Sequence, residues 1–282
     1  MFKIVKKHRL NHESVEMDIE APFIAQKAKP GQFIIFRVDK EGERVPLTVA
    51  GTDTEKGTVK IIFQQVGAST LELGDKEEGE FIQDFVGPLG QPSELEQFKG
   101  KKIAVVGGGL GAAIAYPIAK AAHALGADVD MIAGFRNKDI IILEDAMRAN
   151  SSRLFVTTDD GSNGVKGFVS DILEQQIKAG THYDHVIAIG PIIMMKVCVD
   201  VTRKYNIPTT VSMCTLMVDG TGMCGCCRLT VGGETKFACV DGPDFDGFKV
   251  DFDEAMSRGR MYRDQEAEAK ERHICNLTGE AR

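Results

Sequence analysis

The stretch Ile103-Ala104-Val105-Val106-Gly107-Gly108-Gly109-Leu110-Gly111-Ala112-Ala113 decides how this chain is read. Four apolar residues in succession make a short buried strand, the glycines end it, and the residues up to Leu125 suit a helix. Gly107 to Ala112 fits G-x-G-x-x-A, with Gly108, Gly109, Leu110 and Gly111 inside the turn. Positions without side chains let backbone N–H groups approach a pyrophosphate, and the helix N-terminus favours its negative charge. No Gly-Lys-Ser/Thr ending follows, so a P-loop is disfavoured. In isolation the same residues also describe a strand-to-helix turn that binds nothing. The strand–loop–helix setting favours a dinucleotide.

Downstream, β-like runs recur at 129–133, 154–156, 186–189 and 209–211, separated by helical stretches around 139–149, 167–178 and 191–204. Such alternation predicts a parallel sheet with helices on both faces over residues 99–212. Arg136 and Lys138 follow the second strand, at the ribose edge of a bound dinucleotide. They suit a 2′-phosphate and equally a solvated turn, so NAD and NADP both stay open. Upstream, residues 1–98 hold short strands divided by Lys29-Pro30-Gly31, Glu41-Gly42 and Lys56-Gly57, which predicts a small antiparallel barrel or sandwich. Residues 213–248 are rich in Cys, Gly and Asp, and 249–282 form a charged, helix-prone tail, either a docking helix or a solvated end.

The 282 residues suffice for two sizeable cores, and 43% hydrophobic with 27% charged residues is ordinary globular composition. Asp and Glu number 41 against 34 Lys and Arg, a net charge of −7 that gives no support to nucleic-acid binding. No apolar run reaches a membrane span, and the start alternates like a strand rather than a signal peptide, so the expectation is a soluble cytoplasmic protein.

Five of the seven cysteines (Cys214, Cys224, Cys226, Cys227, Cys239) fall between residues 214 and 239. A cluster this dense in a cytoplasmic chain points to metal rather than disulfides. With Asp219 in a ligand position the spacing is D-x4-C-x2-C with Cys239 downstream, close to the plant-type 2Fe–2S loop C-x4-C-x2-C. Glycines in such a loop let the chain wrap tightly and aim N–H groups at the cluster. A zinc ribbon would show a second C-x-x-C pair or nearby His, and a dithiol at Cys224 and Cys227 leaves Cys239 without a role. Cys226 reads as a filler residue or a substitute ligand, with the filler role preferred. Cys198, Cys214 and Cys275 read as packing or surface residues.

In the first segment, Arg44-Val45-Pro46-Leu47-Thr48 and Gly67-Ala68-Ser69-Thr70 suggest a phosphate-bearing cofactor. Arg suits a pyrophosphate, Thr a flavin ring, and a Gly-x-x-Thr turn offers N–H groups, although hairpin ends have the same composition. A β module, a nucleotide module and an iron–sulfur loop in that order make a converter of two-electron into one-electron transfer.

On these residues, together with Pro30-Gly31-Gln32-Phe33, Gly87-Pro88-Leu89-Gly90, Asp159-Asp160-Gly161-Ser162 and Gly190-Pro191 followed by Met194 or Met195, nearly the whole chain resembles the ferredoxin–NADP reductase superfamily. Residues 218–225 and 237–243 are most similar to the small subunits of NADH-dependent reduced ferredoxin:NADP oxidoreductases. The related dihydroorotate dehydrogenase subunit has Cys where this chain has Asp219. The resemblance implies an oxidoreductase with an FAD-binding barrel (1–98), an NAD(H)-binding α/β domain (99–212) and a 2Fe–2S domain (213–248). It implies FAD against Arg44, Pro46, Leu47, Thr48, Gly67, Ser69 and Thr70, and a cluster on Asp219, Cys224, Cys227 and Cys239. NAD(H) would lie on Gly107–Gly111, Arg136, Asp160, Gly190 and Pro191. The implied partner is a larger NADP-binding subunit with a second FAD and 4Fe–4S clusters, reaching ferredoxin through a bifurcating complex. Here Arg44 stands four residues before Thr48, where the superfamily has three. A dihydroorotate dehydrogenase electron-transfer subunit, or a zinc-stabilised nucleotide-binding module without redox turnover, are the alternatives.

Overall fold

The computed structural model describes residues 1–278. The first seven strands are β1 (Phe2–Arg9), β2 (Ser14–Glu20), β3 (Phe33–Arg37), β4 (Val45–Asp53), β5 (Thr58–Gln64), β6 (Phe81–Ile82) and β7 (Asp84–Leu89), with short helices α1 (Pro22–Ala25) and α2 (Ala68–Asp75). They pair antiparallel in the order β6-β1-β2-β5-β4-β3-β7 and form the expected barrel. Val15, Met17 and Ile19 of β2 sit opposite Phe63, Ile61 and Val59 of β5, and all six are fully buried. Their period of two is the alternation legible in the sequence. A bulge between Val49 and Gly51 curves β4.

The second half contains β8 (Lys102–Gly108), α3 (Gly111–Ala124), β9 (Asp128–Phe135), α4 (Glu144–Ala149), β10 (Arg153–Thr158), α5 (Val169–Lys178), β11 (His185–Ile189), α6 (Ile192–Lys204) and β12 (Thr209–Ser212). A hairpin follows, β13 (Arg228–Val231) with β14 (Glu234–Phe237), then β15 (Asp244–Asp246), α7 (Phe252–Arg258) and α8 (Arg263–Thr278). The main sheet has the order β10-β9-β8-β11-β12-β15, parallel except for β15. The helix expected over 139–149 divides into a 3₁₀ turn at Lys138–Ile140 and α4, because Leu143 adopts φ 57° and interrupts the spiral.

Strand order reverses between β8 and β11, which opens a crevice at the carboxyl ends of these two strands. One apolar layer under the sheet gathers α3, Phe98 and Ile62. The opposite layer, under α5 and α6, continues into the cysteine segment, where Cys227, Leu229, Ala238 and Cys239 join Phe33 and Ile35 of the barrel. The cysteine segment therefore shares a core with both neighbours. Its β15 is also an edge strand of the main sheet. The charged tail is helical: α7 packs on α6 and β13, and α8 reaches α2, where His273 lies 3.7 Å from Asp75. Among the described residues no helix is long and apolar enough to cross a membrane.

Candidate cofactor sites where the barrel, sheet and cysteine loop meet

The glycine loop is shaped by its neighbours. A Cβ at Gly107 would lie 2.6 Å from the Ala112 Cα, one at Gly108 2.3 Å from the Met194 Sδ, and one at Gly111 2.4 Å from the Ile189 carbonyl oxygen. Gly109 differs: its φ is +58° and nothing lies within 4 Å, so its backbone faces open space. Its N–H donates to the Gly134 carbonyl at 2.8 Å, which binds the loop to the end of β9. Gly190 meets Gly111 across the crevice, and the Met194 thioether packs on both Gly108 and Gly190 while Met195 is wholly buried. Of the two methionines in the sequence motif, Met194 is the one at the loop. Pro191 caps α6 beside it. Leu110 packs partly into the α3 layer.

At the ends of β9 and β10 the chain brings Arg136 and Asp160 together: the Asp160 N–H donates to the Arg136 carbonyl at 3.4 Å. The Asp160 carboxylate accepts from the Ser162 N–H, and the Ser162 Oγ accepts from the Lys138 N–H. The Arg136 side chain turns away to the barrel, where it meets Glu13 at 2.9 Å.

In the barrel, β4 pairs with β3 over Val45–Thr48 and with β5 only from Val49 on, and Val45 to Thr48 all stay half-buried. Leu47 leans into the barrel core; Pro46 and Thr48 occupy the alternate face, and farther along that face Ala50 packs against the α3 layer. Arg44 is committed elsewhere. Its Nε donates to the Val218 carbonyl at 2.7 Å and its guanidinium to the Asp219 carbonyl at 3.3 Å, so it ties β4 to the cysteine loop. Around Gly67 nothing would meet an added Cβ within 4 Å, which leaves room for phosphate at the start of α2. Thr70 is used within that turn, accepting from the Val66 and Gly67 N–H groups, and the Ser69 hydroxyl donates to Glu43 at 2.8 Å. Glu43 carried no sequence signal.

In the cysteine loop Gly220, Gly222 and Gly225 all have positive φ, which winds the backbone tightly. The Cys227 and Cys239 sulfurs lie 3.2 Å apart and both residues are buried. Burial, then the contact with Cys227, pushes the Cys239 thiol up to about 12, so a metal ion must displace its proton. Cys224 is exposed beside Cys226. The N–H groups of Cys226 and Asp219 hold the Cys224 thiol below its ordinary value, whereas contact with Cys224 raises that of Cys226. Cys224 is thus the readier thiolate of the two. The Asp219 carboxylate folds over its own turn, accepting from the Thr221 N–H at 2.9 Å and the Met223 N–H at 3.1 Å, which lowers its pKa. The structure joins Cys227 to Cys239 and leaves Asp219 and Cys224 in local contacts. Among the described residues no three Cys, His, Asp or Glu side chains form a finished metal site. The donor chemistry nevertheless fits iron: three thiols and a carboxylate border one glycine-wound loop. Arg258, whose guanidinium donates to the Cys226 carbonyl at 3.1 Å from α7, could not be found from the motif. Cys198 is wholly buried, Cys214 is exposed, and the Cys275 side chain lies outside those described.

Residues 215–251 match the iron–sulfur cluster binding domain of dihydroorotate dehydrogenase B. The chain is 45% identical over 272 residues to the dihydroorotate dehydrogenase B (NAD(+)) electron transfer subunit homolog of Thermotoga maritima, spanning 96% of this chain and 95% of that protein. It is 32% identical to the dihydroorotate dehydrogenase B (NAD(+)) electron transfer subunit of Geobacillus thermodenitrificans, over 86% and 94%. A solved chain of NADH-dependent reduced ferredoxin-NADP oxidoreductase, studied for flavin-based electron bifurcation, superposes with a TM-score of 0.91 at 44% identity, over 97% and 98% of the two chains. The Amycolatopsis cytochrome P450 reductase GcoB, at 17% identity and a TM-score of 0.61 over 73% and 66%, shares the fold alone. Fold and relatives define an oxidoreductase subunit of ferredoxin–NADP reductase type. The chain belongs to the family of electron-transfer subunits typified by that of dihydroorotate dehydrogenase B.

Proposed function

We propose that this chain is the small subunit of a complex of the NADH-dependent reduced ferredoxin:NADP oxidoreductase kind. It exchanges electrons between NAD(H), FAD and an iron–sulfur cluster of the 2Fe–2S type. Its partner is a larger subunit carrying FAD, 4Fe–4S clusters and NADP(H), with ferredoxin as the outer reactant. What carries the reading is the match along nearly the entire chain to a subunit of such a complex. Asp219 at the first ligand position supports it over a dihydroorotate-oxidising partner, the second reading that the names of other relatives favour.

When bound, FAD accepts a hydride from the nicotinamide and the cluster carries electrons singly. The chain's own residues supply position and shelter. Gly107, Gly108, Gly111 and Gly190 let strand, helix and the β11 turn close up, Gly109 leaves its backbone open for the dinucleotide, and Met194 holds the two turns together. Pro46, Leu47 and Thr48 line the flavin strip, with Gly67 at the phosphates. Arg44 fixes the cysteine loop against the same strand that carries Thr48, which keeps the two redox sites at a set separation. Asp219, Cys224, Cys227 and Cys239 hold the cluster, and the shared core behind Cys227 and Cys239 excludes water from one side.

An anaerobic visible spectrum before and after NADH, with iron, sulfide and flavin assayed on the same sample, tests the reading. Flavin with two irons and two sulfides, bleached by NADH, is expected; zinc without sulfide or flavin would overturn it. Asp219→Cys should keep the cluster and alter its spectrum and potential, since thiolate is a softer donor than carboxylate. An Asp219→Ala protein with unchanged spectrum and potential would remove Asp219 from the ligand set.

A further inference from the structure

We infer that Glu13, on the turn between β1 and β2 of the barrel, sets the dinucleotide preference of the α/β domain by withholding Arg136 from a 2′-phosphate. The inference rests on the dinucleotide reading of the crevice. Arg136 directly follows β9, the second strand of the parallel unit, where the adenosine ribose of a bound dinucleotide lies. By sequence, Arg136 and Lys138 are the cations that could meet the 2′-phosphate of NADP or simply lie on a solvated turn.

In the folded chain its guanidinium instead donates to both carboxylate oxygens of Glu13, at 3.0 and 2.9 Å. Glu13 is not a passive surface charge. The Gln64 side-chain amide donates to it from the end of β5, the His12 ring lies 3.5 Å away, and its carbonyl accepts from the Gln65 N–H at 2.8 Å. Leu10 on the same turn packs into the apolar layer of α3, so the turn is seated against the α/β domain. The Gln64 contact and the guanidinium hold Glu13 ionised against its partial burial.

Two consequences follow for the nucleotide. A 2′-phosphate brings close to two negative charges and would have to draw Arg136 away from a carboxylate that stays behind. Asp160, beside the Arg136 backbone, adds a second negative charge at the same edge. A free ribose 2′-hydroxyl carries no charge and meets no such repulsion. Specificity here comes from an unfavourable element placed against the wrong ligand. The barrel thus contributes a selectivity residue to a site it does not otherwise build.

The test compares NADPH with NADH as reductants of the full-length holoprotein, alongside calorimetric binding of 2′,5′-ADP and 5′-AMP. In Glu13→Gln, which keeps a side-chain partner for Gln64 but not the charge, the NADPH:NADH ratio of kcat/KM should rise roughly tenfold. Binding of 2′,5′-ADP should tighten while 5′-AMP stays the same. Adding Arg136→Ala should remove the gain, and Glu13→Asp, which keeps the charge, should retain the wild-type preference. Equal tightening of both nucleotides, or an unchanged ratio in a Glu13→Gln protein that NADH still reduces, would overturn the inference. A wild-type protein that binds neither nucleotide would overturn it together with the dinucleotide reading beneath it.

Discussion

The two ends of the parallel sheet use opposite chemistry. At the carboxyl ends of β8 and β11 the surface is backbone: Gly109 faces open space and Gly190 and Gly111 touch across the crevice. At the amino end the surface is closed by side chains. Asp130, wholly buried at the start of β9, accepts from Lys102 at 2.6 Å, from the Arg153 Nε at 2.9 Å and from the Tyr183 hydroxyl at 2.7 Å. These hydrogen bonds hold its carboxyl low against the burial that would raise it. Three adjacent strands are fastened through one carboxylate. At the amino end one buried carboxylate takes up the polar side chains around it, whereas at the carboxyl end the turn at Gly109 leaves backbone uncovered. Stability and binding are therefore separable between them.

The largest break in that division should come from Asp130→Ala. It leaves Lys102, Arg153 and Tyr183 without their common acceptor and is expected to cost about 3–5 kcal/mol in denaturant unfolding. NADH affinity should change little, since the crevice lies at the other end of the strands. A large affinity loss without a shift in unfolding midpoint would collapse the distinction.

His185 gives a smaller, pH-dependent contrast. Burial pushes its pKa down to about 4, with its ring packed on Phe98 and its Nε2 2.8 Å from the Thr210 Oγ1. The unfolded imidazole takes up its proton near 6.5, before the folded one does. Stability is therefore whole above pH 6.5 and drains as pH falls toward 4, by roughly 3 kcal/mol. His185→Gln should flatten that slope in denaturation curves. Parallel acid losses in wild type and variant would place the sensitivity elsewhere.

The smallest structural effect should come from the opposite end. In Gly109→Ala the added methyl has room but the left-handed backbone costs about 1 kcal/mol. The methyl enters the space a pyrophosphate approaches, so NADH should bind roughly tenfold more weakly. Affinity unchanged alongside the same loss of stability would mean that the open side of Gly109 faces no ligand.

Much of the fold was legible because its signals are local. The period-two burial of β2 and β5, the apolar run of β8, and the glycines after it each follow from neighbours within a few residues. The cysteine spacing was equally local, and it named a loop that family relatives share. Residues acting over long separations left no trace: Glu43 on Ser69, Arg258 on Cys226, and Glu13 on Arg136. The helix expected over 139–149 also failed as a single element, because one residue at positive φ outweighs the average propensity of its neighbours.

Periodicity and spacing, written along the chain, were enough for a β module, the parallel sheet, the glycine loop and a thiol-rich loop. How those parts share groups follows from packing between them. Arg44, read as a flavin-phosphate residue, spends its guanidinium on the Val218 and Asp219 carbonyls. Arg136, which in the sequence suits a 2′-phosphate and a solvated turn equally, is claimed by a carboxylate 123 residues away. A charged side chain goes to whichever opposite charge or carbonyl the folded chain brings within about 3 Å. That choice depends on packing between modules, which no local pattern encodes.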